Sequence, residues 1–132
     1  MKLSKDELSR YSRQFPIIGI DGQLKLKNSN ILVVGSGGLG SPVLLYLAAA
    51  GIGSITAIDG DNIDYTNLQR QIVFNENEVG KNKAQQAILN LKELNSACSY
   101  SYIPENLTKK NARQLIKSRD IIVDCSDNFE TR

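Results

Sequence analysis

Histidine is absent from the 132 residues, so no imidazole is available as a general base. Cysteine is scarce, and Cys98 and Cys125 make neither a disulfide framework nor a four-ligand zinc site. Both read as small core residues, Cys125 because it ends a buried strand. Long apolar runs are missing: the most apolar, Val43 to Ala50, falls far short of the roughly 20 residues that span a bilayer. The opening Met1-Lys2-Leu3-Ser4-Lys5-Asp6-Glu7 lacks the apolar stretch of a signal peptide. Charge of one sign is missing too. Sixteen Lys and Arg against fourteen Asp and Glu leave a net +2, which argues for neither nucleic acid nor a membrane as partner. No repeat, low-complexity tract or linker divides the chain. The expectation is one domain, residues 1–132, in the cytoplasm.

Apolar runs and punctuation define the elements that are there. Ser4 and Glu7 have capping-box spacing and open a helix expected to run to about Gln14, stopping before Pro16. A short helix around Gln23 to Lys27 completes an N-terminal helical segment over residues 1–28. The core, residues 29–132, begins with Ile31-Leu32-Val33-Val34, a continuous apolar run with the look of a strand buried on both faces. Val43 to Ala50 reads as a helix, with Pro42 in its first turn and Gly51 closing it. Ile55 to Ile58 is a second strand. Ala84, Ala87, Ile88, Leu91 and Leu94 recur at helical spacing over 83–95. Ser99 to Ile103 is a third strand, Thr108 caps a helix through Lys117, and Ile121-Ile122-Val123 is a fourth, buried strand. Strands alternating with helices predict an α/β fold, a Rossmann-like parallel sheet flanked by helices in the order 3-2-1-4.

Gly35-Ser36-Gly37-Gly38-Leu39-Gly40 matches G-x-G-x-x-G between a strand and a helix. Without side chains, backbone N–H groups there can approach phosphate oxygens at the positive end of the helix dipole. Asp59 follows nineteen positions after Gly40, at the end of the second strand, where a carboxylate can accept ribose hydroxyls. Together they predict an adenine nucleotide. A dinucleotide's pyrophosphate, with about two negative charges, is handled by the glycine turn. A triphosphate carries about four and needs further cations, for which Arg70 and Lys83 are candidates. Taken singly, each also fits a solvated surface charge. Asp127, leaving the fourth strand at the topological switch point, can hold Mg²⁺ on the phosphates or cap a helix.

Arg10 to Gln14, Gly35 to Gly40, Asp59-Gly60-Asp61, Asn67 to Gln71, Lys83 and Asp124 to Asn128 occur in the order and spacing of the ThiF/MoeB/HesA family. The chain thus resembles the bacterial relatives of ubiquitin-activating enzymes over nearly its whole length. The resemblance implies an ATP-dependent adenylyltransferase using Mg²⁺. Its substrate would be the C-terminal glycine carboxylate of a ubiquitin-like sulfur carrier of the ThiS or MoaD type, in thiamine or molybdopterin synthesis. It further implies that Asp59 binds the ribose, that Asn67, Arg70 and Lys83 bind the phosphates, that Asp61 and Gln71 belong to the same cofactor site, and that Asp127 serves the metal and α-phosphate. Arg13 resembles an arginine finger acting in trans across a homodimer. By the same likeness, the domain continues beyond Arg132 and any zinc site lies there. Two alternatives stand beside this reading: an NAD-dependent oxidoreductase domain, and a non-catalytic nucleotide-binding or dimerisation module.

Overall fold

A computed structural model describes all 132 residues. Its centre is a four-stranded parallel sheet formed by β1 (Asn30–Val34), β2 (Ser54–Ile58), β3 (Ser99–Ile103) and β4 (Ile121–Asp124), in the spatial order β3-β2-β1-β4. The predicted order is therefore the observed one, and β1 and β4 flank the switch point. Crossovers run through α3 (Gly40–Ala50), α4 (Lys83–Leu94) and α5 (Ala112–Ile116), preceded by α1 (Lys5–Arg10) and α2 (Phe15–Lys27).

Strand periodicity divides the apolar residues between two faces. Ile31 and Val33 of β1 join Ile55 and Ala57 of β2 beneath Leu44 and Ala48 of α3 and Ala84, Ala87, Ile88 and Leu91 of α4. The core sits here, and each fully buried Ile or Leu contributes about 1.5–3 kcal/mol. On the other face Leu32, Val34 and Ile58 form a smaller cluster against Ile103, Leu107 and Leu115.

Three expectations are corrected. The first helix ends at Arg10 rather than near Gln14, and Pro16 lies in the first turn of α2 instead of terminating α1. Proline is tolerated there because a first-turn N–H needs no helical partner. The short helix expected at Gln23–Lys27 is thus the last part of a longer one, which breaks at Gly19, where φ is 68 and ψ is 177. The second correction concerns β4, which is not buried: Ile121 is 52% and Ile122 36% exposed. It is an edge strand, paired with β1 on one side, and α5 covers the small cluster rather than β4. The third is the helix at Thr108, which is regular only over Ala112–Ile116, although the Thr108 hydroxyl does accept the Asn111 N–H at 3.4 Å.

At the amino ends of the strands the chain ties itself together. Gly51 ends α3 in the left-handed conformation (φ 92), and a Cβ there would lie 2.5 Å from the Tyr11 ring. Asn95 Nδ2 donates to Tyr11 Oη and to the Ala48 carbonyl, both at 2.8 Å. Gln23 Nε2 donates to the Ala50 carbonyl at 2.8 Å, and Gln14 Nε2 donates to Gln23 Oε1 at 2.6 Å. These bonds satisfy carbonyls that the end of α3 leaves without helical donors. No helix is long and apolar enough to cross a membrane.

Candidate nucleotide-binding site

The opposite, carboxyl ends of the strands open into a cleft of about 390 Å³. Its floor is the turn from β1 to α3. Gly35 takes φ 95 and donates its N–H to the Ile58 carbonyl at 2.9 Å, while the Cys125 N–H donates to the Val34 carbonyl at 2.8 Å. A Cβ on Gly35 would lie 2.9 Å from the Cys125 carbonyl oxygen, and one on Gly40 would collide with the Gly35 carbonyl oxygen. Glycine is required at both positions because the turn folds back on itself between two strands.

Gly35, Gly37, Gly38 and Leu39 line this cleft, with Gly40 buried behind them at the start of α3. Asp59 lies across from them. Its Oδ2 accepts the Ser36 N–H at 2.8 Å and its Oδ1 the Asp61 N–H at 2.9 Å. The carboxylate is thus fixed to the glycine turn, with lone pairs left for hydroxyl donors. Asp61 also lines the cleft, and its carbonyl accepts the Lys83 N–H at 2.9 Å.

The cations arrive from the long β2–α4 connection and from α4. The Arg70 side chain lies over Gly38, where a Cβ would be 3.6 Å from Nε, and its Nη1 donates to the Thr66 carbonyl at 3.3 Å. Gln71 lies over Gly37 in the same way, and its buried Oε1 has no hydrogen-bond partner. Lys83, on the first turn of α4, is only 8% exposed and still lines the cleft. Neither cation is neutralised: the molecule's ion pairs are Lys27–Glu7 at 2.7 Å and Arg132–Asp124 at 4.0 Å. Nearby, the Thr66 hydroxyl and N–H hold the Asp64 carboxyl below its usual range, with the Lys83 charge adding to the effect.

Asp127 lines the β4 side, exposed, with Asn128 Nδ2 at 3.5 Å as its hydrogen-bond partner. It is not a cap; Asn128 Oδ1 accepts the Thr131 N–H at 2.9 Å instead. Asp124 ends β4, and the Ser126 hydroxyl and N–H hold its carboxyl below the usual value. No three carboxylate or thiol groups gather as a metal cage. Mg²⁺ therefore fits here only if phosphate oxygens supply most of its ligands; the carboxylates that line the cleft are Asp59, Asp61 and Asp127.

Besides Gly40, two predicted residues lie outside the cleft lining. Asn67 Oδ1 accepts the Asp64 N–H at 2.9 Å, and the Asn67 carbonyl accepts the Arg70 and Gln71 N–H groups at 3.2 and 2.9 Å, so Asn67 shapes the segment that carries them. Arg13 is exposed in the turn between α1 and α2, away from the cleft-lining residues. Burial raises the Cys125 thiol above its usual range, with Asp124 adding to it, in keeping with a core role. Cys98, likewise raised by burial, is only half-buried. Ser126 and Asn128 fall within the Asp124 to Asn128 segment without having been singled out, and sequence reasoning missed Asn106 and Leu107 after β3 and Thr131 after β4. Their signal was position alone, since loops leaving the carboxyl ends of parallel strands converge on the crevice.

A crevice at the switch point, floored by a glycine turn and facing two unneutralised cations, defines a nucleotide-binding domain of the Rossmann type. Within that class the chain belongs to the ThiF family, whose model matches residues 11–132. It is 46% identical to the adenylyltransferase and sulfurtransferase MOCS3 of Drosophila ananassae, over 99% of this chain and 30% of the relative. It is also 46% identical to the probable adenylyltransferase/sulfurtransferase MoeZ of Mycobacterium tuberculosis, over 98% of this chain and 34% of the relative. The chain thus spans about a third of the length of the curated relatives it matches. Among solved structures, the E. coli dehydratase TcdA in complex with ATP superposes with a TM-score of 0.92 at 29% identity, over 97% of this chain and 53% of that one. E. coli MccB, crystallised with AMPCPP and MccA, gives 0.81 at 39% identity, over 90% of this chain and 37% of that one.

Proposed function

We propose that the cleft binds ATP and that the protein adenylates the C-terminal carboxylate of a ubiquitin-like sulfur-carrier protein. The carrying observation is the pair of cations, Arg70 and Lys83, that face the glycine turn without an acidic partner. Lys83 is buried, and a buried cation without a counter-ion is costly unless a ligand supplies the charge; Arg70 is exposed and lies over the glycine turn. The ATP complex of TcdA and the adenylyltransferase names of MOCS3 and MoeZ support the same reading.

In this chemistry a carboxylate oxygen attacks the α-phosphorus, the bond from that phosphorus to the bridging oxygen breaks, and pyrophosphate leaves with the electron pair. The nucleophile is already ionised near pH 7, so no general base is needed and a chain without histidine suffices. The protein's work is positioning and charge neutralisation. Asp59 would hold the ribose, the N–H groups of the glycine turn, Arg70, Gln71 and Lys83 the phosphates, and Asp127 a phosphate-bound Mg²⁺. Arg13, outside its own cleft, would serve the cleft of a second copy in a two-fold dimer.

Calorimetry with ATP and Mg²⁺ against NAD tests the site: ATP should bind at least about tenfold more tightly. Preferential binding of NAD would overturn the assignment in favour of an oxidoreductase. Carrier-dependent exchange of labelled pyrophosphate into ATP tests the chemistry, and Asp127→Ala should abolish it. Mixing Arg13→Ala with Lys83→Ala subunits, each inactive alone, should recover part of that exchange. If mixed dimers form and recover nothing, Arg13 does not act in trans.

A further inference from the structure

The connection from β2 to α4 is closed at its neck. Asn62 and Asn82 form an antiparallel bridge, the Ile63 N–H donates to the Lys81 carbonyl and the Gly80 N–H to the Ile63 carbonyl, both at 2.8 Å. Inside this closed excursion lies Glu78, a carboxylate only 6% exposed and in neither of the molecule's ion pairs. Neutral donors hold it. The Asn75 N–H donates to Oε1 at 2.6 Å, Asn90 Nδ2 to Oε1 at 2.9 Å, and Gln86 Nε2 to Oε2 at 2.8 Å. Asn90 Nδ2 also donates to the Val73 carbonyl at 2.7 Å, and Gln86 Nε2 to Asn90 Oδ1 at 3.0 Å.

Gln86 and Asn90 are four residues apart on one face of α4, the helix whose first turn carries Lys83. Val73 and Asn75 follow directly on Arg70 and Gln71. The buried carboxylate therefore joins the two segments that bring cations to the cleft. No cation meets this carboxylate; a backbone N–H and two side-chain amides share its two oxygens and fix its geometry.

We infer that Glu78 is a positioning residue that sets the separation of Arg70 and Lys83 and so the affinity of the cleft for the triphosphate. The inference rests on reading the cleft as an ATP site. It goes beyond that reading because Glu78 does not line the cleft.

The test measures ATP and adenosine binding by calorimetry in the unsubstituted protein and in Glu78→Ala. Adenosine lacks the phosphates and reports the ribose end alone. Glu78→Ala should weaken ATP about tenfold, the loss expected when one charge-assisted contact is misplaced, and change adenosine by less than about twofold. A merely structural role moves both ligands together. Should Glu78→Ala fail to fold, Glu78→Gln carries the same test. It keeps the volume and the Asn75 contact but not acceptors for both amides, and its ATP-to-adenosine preference should fall by about threefold or more. Equal loss of both ligands, or an unchanged preference in the folded variants, overturns the positioning role alone. Binding of ATP no tighter than adenosine in the unsubstituted protein overturns the ATP reading itself, and the role of Glu78 with it.

Discussion

At the amino ends of the strands the buried polar side chains are paired: Tyr11, Gln14, Gln23 and Asn95 bond one another and the last carbonyls of α3. At the carboxyl ends the buried side-chain oxygens without partners gather, namely Ser36 Oγ, Ser41 Oγ and Gln71 Oε1, alongside two cations without counter-ions. The two ends belong to one sheet and one core. A completed network consolidates the N-terminal helices against the sheet. The other end is incomplete, and of its unpartnered oxygens Gln71 Oε1 belongs to a residue that lines the cleft, where a ligand can supply the partner. Substitutions at the first end should therefore register as stability, and those at the second as binding.

The largest expected effect is at the completed end. Asn95→Leu removes donors to Tyr11 Oη and the Ala48 carbonyl and an acceptor for the Ala97 N–H, in a site with no access to solvent. Unfolding by urea should show a loss of about 2–4 kcal/mol, with ATP affinity unchanged in the protein that stays folded. A loss below about 1 kcal/mol would break the comparison.

Lys83→Met is the counterpart at the open end, since it keeps the aliphatic stem and deletes the charge. ATP binding should weaken by about 1.5–3 kcal/mol, whereas unfolding free energy should hold or rise by a few tenths, about 0.5 kcal/mol at most. A large loss of stability would mean that Lys83 is structural after all.

The smallest effect sharpens the boundary between the two behaviours. Asp124 is held below its ordinary value of 3.8 by the Ser126 hydroxyl, whose contact is 2.5 Å, and by the Ser126 N–H at 3.0 Å. A depressed folded value stabilises above the unfolded pKa and stops doing so as pH falls through the folded one. Ser126→Ala should bring the Asp124 titration, followed by NMR, back toward 3.8 and flatten the loss of stability below that pH. An unmoved titration would show that the backbone N–H alone sets it.

The order of the sheet was legible because Ile31 to Val34 and Ile55 to Ile58 are unbroken apolar runs, and each ends in residues that turn toward one edge. The glycine turn, Asp59, Lys83 and Asp127 were legible as cleft positions for the same reason, since each lies next to a strand or helix end. Arg70 was legible only as a cation on a segment leaving the same sheet edge. Helix boundaries near Pro16 were not, because proline both ends helices and begins them, and only the turn at Tyr11–Gln14 decides. Burial of β4 was misjudged because an apolar run reports what a strand can pack against, not what packs against it. Glu78 was invisible, since a glutamate in the polar run Asn75-Glu76-Asn77-Glu78 reads as solvated surface until Gln86 and Asn90 are brought over it.

Within these 132 residues the outer side of β4 is unpaired, and the residues around it limit what that rim can pair with. A strand paired on one side only presents unused N–H and C=O groups, and Ile121 and Ile122 beside them make that rim adhesive to any other extended segment. Asp120 and Asp124 bracket those two residues and Arg119 adjoins them, so charge stands at both ends of the short apolar stretch. Such flanking charges act as gatekeepers: like carboxylates brought opposite one another in a stacked register repel, and the stretch between them is too brief to outweigh the repulsion. Asp120 Oδ2 and Asp124 Oδ1 are also each held by a backbone N–H, of Asn30 at 2.8 Å and Ser126 at 3.0 Å, so these charges are anchored at the rim. Each carboxylate thus stands at a fixed place beside the isoleucines, so an extended segment that paired with β4 would have to accommodate both.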